Sequence, residues 1–194
     1  LNEKDSNYVT VKESVFPFDR FPGEDVILGP EMKSTGEVMG VDKNFPMAFL
    51  KSQMAAGNIL PQRGSIFISV RDEDKENIIL LCQVIKKLNF KILATKGTAE
   101  FLSKFAINVK VIKKVNEGSP HIVDQIEKDK IHLIINTTSG SKSLADSLSI
   151  RRTALSKKIP YFTTISAAKI AITGLNLISD NEISVKSIQE LYNT

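Results

Sequence analysis

Tryptophan is missing from this 194-residue chain, cysteine occurs once and histidine twice. A single cysteine excludes a disulfide framework, and His121 and His132 are too few, and lack partners at ligand spacing, to suggest a metal site. Aromatic residues make up only 7% of the chain, so no interleaved stacking platform for single-stranded nucleic acid is visible. The net charge is +4, yet the densest basic clusters are pairs: Lys86 with Lys87, Lys113 with Lys114, Arg151 with Arg152. Without a long basic block the charge reads as solvated surface plus a local anion site, with a nucleic-acid-binding module as an alternative. No apolar run approaches the roughly 18 residues of a membrane span, so no membrane partner is expected. The phosphate-loop pattern GxxxxGK[ST] and the dinucleotide fingerprint GxGxxG are both absent. The chain opens LNEKDSNY, with neither an initiator methionine nor a signal pattern, and reads as an excised cytosolic segment.

What is present is an ordinary globular mixture, 42% hydrophobic and 25% charged, enough for one core plus an arm. Cys82 stands among Ile78, Ile79, Leu81, Val84, Ile85 and Leu88, where a small apolar side chain suits a buried helix face better than a reactive thiol does. Residues 1–58 are expected to form the arm: a strand over Tyr8–Val15, an ordered strap from Leu28 to Gly40, and a helix from Phe45 to Ala56 stopped by Gly57. In the strap, Gly29, Gly36 and Gly40 permit turns, Pro30 fixes its own φ, and Met32, Val38 and Met39 are expected to find packing partners. The arm has too little apolar material for its own core.

Residues 59–194 alternate β-branched runs with amphipathic segments. Strands are predicted at Ile66–Val70, Phe90–Ala94, Val109–Ile112, Ile131–Ile135 and Pro160–Thr163. Helices are predicted at Asp74–Leu88, Thr98–Phe105, His121–Lys128, Ser143–Lys157, Ser166–Leu175 and Val185–Tyr192. Strands separated by single helices imply parallel neighbours, hence an α/β fold: a three-layer α/β/α sandwich on a five-stranded, mainly parallel sheet.

In such sheets ligands bind beyond the carboxyl ends of the strands. Those ends supply Ser69 and Lys75; Thr95, Lys96, Gly97 and Thr98; Lys113 and Lys114; and Asn136 to Gly140, with almost no carboxylate among them. Hydroxyl and backbone donors, a glycine allowing close approach, and lysine charge are what a phosphate monoester needs, while Asn136 and Thr138 suit a ribose or base edge. Capping and turn chemistry use the same residue types, so the convergence at one sheet edge carries the functional reading.

The segments KESVFPFDRFPG, LGPEMKSTGEVMG, TKGTA, KKVNEG and INTTSG resemble the end of the large chain in the carbamoyl-phosphate synthase family, including its methylglyoxal-synthase-like, Rossmann-like regulatory domain. The resemblance implies an allosteric domain binding UMP or IMP, with Lys75, Thr95, Thr98 and Lys114 around the phosphate and Ser69, Asn136 and Thr138 toward the ribose and base. It also implies an ornithine site at Glu13 and Thr163. It places ATP, magnesium and potassium in upstream catalytic domains, leaves this segment without a cofactor or catalytic residue of its own, and brings in a glutaminase small chain as partner. Lys96, where relatives often carry histidine, leaves the effector open.

A catalytic alternative is a methylglyoxal-synthase-type lyase. That enzyme family carries a GGDQ segment, whereas this chain reads NEGSPHIVDQ from Asn116 to Gln125, so Asp124 and Gln125 give only a faint echo. Asp124 is expected on a solvent-facing helix, Asp72, Glu73 and Asp74 at a helix N-terminus where their charge opposes the dipole, and His132 at a surface or edge.

Overall fold

The computed structural model describes residues 7–16, 36–180 and 183–192. Strand β1 (Val9–Val15) pairs antiparallel with β2 (Gly36–Asp42), Val11 opposite Gly40 and Val15 opposite Gly36. The expected strap therefore divides. Residues 28–35 lie outside the described residues, and from Gly36 onward the chain is a strand whose polar, glycine-containing sequence hid its alternation. Met39, expected to find a packing partner, is 58% exposed.

Helix α1 (Phe45–Ala55) follows, its first turn closed by Asn44, whose side-chain oxygen accepts from the Met47 N–H at 3.0 Å. Gly57, at a φ of +87°, ends the segment in the left-handed region that glycine tolerates. The helix buries Met47, Ala48 and Leu50 and leaves its first residue, Phe45, 46% exposed.

The second sheet has the order β5-β4-β3-β6-β7, formed by β3 (Ser65–Ser69), β4 (Lys91–Ala94), β5 (Lys110–Val111), β6 (Leu133–Asn136) and β7 (Tyr161–Phe162), with every neighbouring pair parallel. This is the expected α/β sandwich. Alternation in β3 sends Ile66 and Ile68 to one face and Phe67 to the other. On the first face lie α2 (Ile79–Lys87), α3 (Lys96–Ser103) and α7 (Ile165–Asp180), contributing Leu81, Cys82, Ile85, Leu102, Ala168 and Ile172. On the second lie α4 (Ile122–Glu127) and α6 (Leu148–Ser156), contributing Ile122, Ile126, Ile150 and Ala154. Each such isoleucine or leucine, fully buried, contributes about 1.5–3 kcal/mol. Cys82 is fully buried, and that burial pushes its thiol up to about 12, in keeping with a packing role.

The arm completes this core, since Met47 and Leu50 of α1 join the cluster that holds Ile172 and Leu175 of α7. Two glycines allow the close approach. A Cβ on Gly40 would stand 2.0 Å from the Ala48 carbonyl oxygen, and one on Gly174 would stand 2.9 Å from that of Pro46.

Boundaries differ where local chemistry overrides periodicity. The segment expected as one helix from Asp74 runs as two 3-10 turns, Asp72–Asp74 and Glu76–Ile78, before α2 begins. The stretch Ser143–Lys157 is two helices, α5 (Gly140–Asp146) and α6, broken at Ser147. There the buried Arg151 donates from Nη2 to the Leu144 carbonyl at 3.0 Å, satisfying an acceptor that the break frees. Helix α8 (Ile188–Tyr192) begins later than expected.

Candidate functional site

The chain crosses from β3 to β4 and β5 on one side, then returns to place β6 and β7 on the other, so β3 and β6 flank the topological switch point. Parallel sheets open a crevice there. Ser69 and Asn136 are register partners at its floor. Above them lies a cavity of about 840 Å³, within the range of small-molecule sites, lined by Ser69, Thr95, Lys114, Asn136 and Thr138 among others.

Two hydroxyls, of Ser69 and Thr95, stand in its wall, and that of Thr98 lies behind Thr95. Thr95 Oγ1 lies 3.3 Å from both Ser69 Oγ and Thr98 Oγ1 and, with one hydrogen, donates to one at a time. Thr98 Oγ1 accepts from the Val70 N–H at 3.3 Å, so this 1% exposed threonine ties β3 to α3 from behind Thr95. Thr95 occupies the N-cap position of α3 without a side-chain capping bond. The first-turn N–H groups of α3 therefore have no cap side chain as acceptor, and the dipole there favours an anion. Lys75 Nζ sits over this turn, 3.8 Å from where a Cβ on Gly97 would stand.

On the other side, the Asn136 amide donates to Tyr161 Oη at 2.6 Å, which fixes its orientation, and the Thr137 N–H donates to the Ser69 carbonyl at 3.0 Å. Thr137 Oγ1 in turn accepts from the Arg71 N–H at 3.1 Å, joining the loops after β3 and β6. The structure thus brings the seven expected nucleotide residues to one place. Five line the cavity directly, while Thr98 supports Thr95, and Lys75 reaches the cavity-lining Asp72, its Nζ 2.7 Å from Oδ1.

Charge is less one-sided than the sequence suggested. Arg71, Lys114 and Arg152 line the cavity, but so do Asp72 and Asp146. The acidic run expected to begin a helix instead forms a 3-10 turn at the cavity mouth. Within it Arg71 Nε bonds Asp74 Oδ2 at 2.8 Å and lies 3.3 Å from Glu73 Oε2. Sequence reasoning passed over Asp146, Ser147, Ser149 and Arg152 because it read one helix where α5 and α6 turn toward the cavity. A serine-rich segment after NTTSG was the available signal. Arg71, next to Val70 at a strand end, was legible by position alone.

The remaining expected residues lie elsewhere. Glu13 faces Val38 across β1 and β2, and Thr163 follows β7, with no hydrogen bond or ion pair joining them among the described residues. Asp124 is absorbed in a capping box at the start of α4: its Oδ2 accepts from Ser119 Oγ at 2.7 Å and the His121 N–H at 2.8 Å, while His121 Nδ1 accepts from the Asp124 N–H at 3.4 Å. The Ser119 hydroxyl first, then the His121 N–H, hold that carboxyl below its usual range. A carboxylate so held is a weaker base, and Asp124 is not among the cavity-lining residues. His132 is exposed, as expected, and its Nδ1 accepts from the Ser65 N–H at 3.2 Å. Among the described residues, no helix is long and apolar enough to cross a membrane, and no cluster of three metal-binding side chains occurs.

The MGS-like domain family matches residues 77–163. The carbamoyl phosphate synthase large chain of Rhizobium meliloti (strain 1021) is 45% identical over 193 residues, all of this chain and 17% of that one. The large chain of Methanobrevibacter smithii is 50% identical over 95% of this chain and 17% of its own length. The carbamoyl phosphate synthase large chain, C-terminal section, of Methanopyrus kandleri is 46% identical over 97% of this chain and 35% of that section. Against full large chains, then, this chain spans about a sixth of the length. A crystal structure of methylglyoxal synthase from Elizabethkingia anophelis NUHP1 superposes with a TM-score of 0.46 at 17% identity, covering 59% of this chain and 80% of that one.

Proposed function

The chain belongs to the carbamoyl phosphate synthase large-chain family and carries its MGS-like domain, and from that premise we propose that it is a regulatory region binding a nucleoside monophosphate, UMP or IMP. The phosphate sits among Thr95, Thr98, Lys75 and Lys114, and Ser69, Asn136 and Thr138 hold the ribose and base. The observation that supports this most is the convergence of the Ser69 and Thr98 hydroxyls, each 3.3 Å from that of Thr95, beneath a lysine over the first turn of α3, which lacks a side-chain cap. A phosphate dianion supplies strong acceptors for hydroxyl and first-turn N–H donors of this kind.

In the longer protein, the reaction we propose is ATP-dependent synthesis of carbamoyl phosphate from bicarbonate and glutamine-derived ammonia, a ligase reaction serving pyrimidine and arginine synthesis in the cytoplasm. ATP, magnesium and potassium act in preceding domains, and a glutaminase small chain delivers the ammonia. Residues 1–58 connect those domains to the regulatory domain, residues 59–194, and ornithine contacts Glu13 and Thr163 at the junction. A nucleotide shifts the enzyme only by binding its active and inactive states unequally. The arm is the route, because α1 packs directly on α7.

Thermal unfolding with UMP, IMP, ornithine and inorganic phosphate, one at a time, tests the reading. A ligand at one hundred times its dissociation constant adds about 2.7 kcal/mol. Stabilisation by UMP or IMP beyond that from phosphate is the expected result, and equal, negligible shifts from both nucleotides would refute it.

A further inference from the structure

The loop after β3 carries an anion of its own. Asp72 lines the cavity, and its Oδ1 lies 2.7 Å from Nζ of Lys75, the ammonium over the first turn of α3. The Lys75 hydrogen bond and then its charge hold this carboxyl below the usual range, and the charge of Lys114 acts in the same direction. Lys75, one of the two lysines of the expected phosphate group, is thus already paired with a carboxylate.

The other acids of the run are committed elsewhere, since Asp74 and Glu73 both engage Arg71. The two partners of the Asp72 pair also differ in freedom: the Lys75 side chain is 21% exposed, whereas that of Asp72 is 90% exposed. An exposed ion pair is weak and its carboxylate swings into water at little cost, while the ammonium stays in place.

Resting on the nucleotide reading above, we propose that Asp72 is an internal competitor for the phosphate locus: it holds the Lys75 ammonium in the empty site and is displaced by an incoming phosphate. An anion that binds through Lys75 must first separate this pair, so Asp72 lowers the affinity of every phosphate ligand and keeps the site empty until the ligand is abundant. The effect belongs to the phosphate, not to the nucleoside.

Calorimetric titration of the 194-residue chain and its Asp72→Asn variant with UMP, inorganic phosphate and uridine tests this. Removing an exposed pair's competition is expected to tighten UMP about two- to fivefold, to tighten phosphate by a similar factor, and to leave uridine unchanged. In a Lys75→Met background the same Asp72→Asn change is expected to give no gain, because the contested ammonium is gone. Unchanged or weaker UMP binding in Asp72→Asn overturns the inference while leaving the pocket standing. So does a gain that persists without Lys75, which marks a general field effect. Failure of UMP and phosphate to bind either chain overturns the pocket reading and the competitor with it.

Discussion

The arm and the pocket solve packing in opposite ways. In the arm, backbone meets backbone: Gly40 of β2 lies against the Ala48 carbonyl and the Ser52 N–H of α1, and Gly174 of α7 lies against the Pro46 carbonyl on the same helix. In the pocket, loops meet through side chains: Thr98 reaches Val70, Thr137 reaches Arg71 and Asn136 reaches Tyr161. Contacts of the first kind have no slack, because a displaced backbone carries its neighbours with it. Contacts of the second kind exchange partners by rotating a torsion. A segment suited to carry a displacement is therefore joined to one suited to receive a ligand.

The largest effect expected is at Gly40. A methyl group there would stand 2.0 Å from a carbonyl oxygen and 2.4 Å from a backbone nitrogen, so Gly40→Ala must separate β2 from α1. We expect a loss of about 3 kcal/mol, at the upper end for overpacking, read as a lowered midpoint in denaturant unfolding. A midpoint equal to that of the parent chain would show that the arm is looser than this contact implies.

Thr98 and Lys114 divide the pocket by its own internal contrast. Thr98→Val leaves the Val70 N–H without its acceptor in a buried place, so it is expected to cost about 1–3 kcal/mol of stability as well as affinity. Lys114 is exposed, and Lys114→Ala is expected to leave stability within about 0.5 kcal/mol while weakening UMP binding by about 1–3 kcal/mol. Unfolding curves and titrations on the same two samples check both. Lys114→Ala titrating like the parent chain would remove that residue from the site.

The same contrast explains what was legible in the sequence. Five strands and their order of types were readable because buried parallel strands are short β-branched runs, and the strand-end rule then picked out Ser69, Thr95, Asn136 and Thr138 as pocket-lining residues. Strand β2 was hidden because a glycine chosen for close approach looks like a glycine chosen for a turn. Ser147 hid the α5–α6 break, since a stop satisfied by an arginine side chain of the next helix leaves no glycine or proline as a signature, and Asp146 and Arg152 went unseen with it. Asp72 follows from its local charge pattern, though its partner, Lys75, only shows its importance once Gly97 in the first turn of α3 lies beneath it.

A smaller effect is expected from Asp42, which joins the two modes. Its Oδ2 lies 2.8 Å from Lys51 Nζ of α1, and its Oδ1 accepts from the Lys43 N–H at 2.7 Å. Burial raises this carboxyl, but the Lys51 hydrogen bond and charge and the N–H groups of Asn44 and Lys43 outweigh it, leaving the folded-state value lowered. A lowered value means that the stabilisation is present above the unfolded-chain value, about 3.9, and is lost as pH falls through the folded one. Asp42→Asn is therefore expected to be less stable by about 1 kcal/mol at neutral pH, with the gap closing below about pH 4. A gap constant down to pH 2 would mean that the charge contributes nothing to holding the arm.

The smallest effect sharpens the comparison most. Gly36 is four residues before Gly40 on the same face of β2, and a Cβ there meets nothing within 4 Å among the described residues. Val15 stands opposite it, so Gly36→Val adds a β-branched cross-strand pair and removes glycine's unfolded-state entropy, which together favour folding by about 0.5–1 kcal/mol. Unfolding of this variant should match or slightly exceed the parent chain, while Gly40→Ala fails. The two glycines then differ in what lies above them: Gly36 is exposed, and helix α1 lies over Gly40. If both substitutions destabilise alike, the cost belongs to the strand itself and not to the contact with α1, and the arm's rigidity has another source.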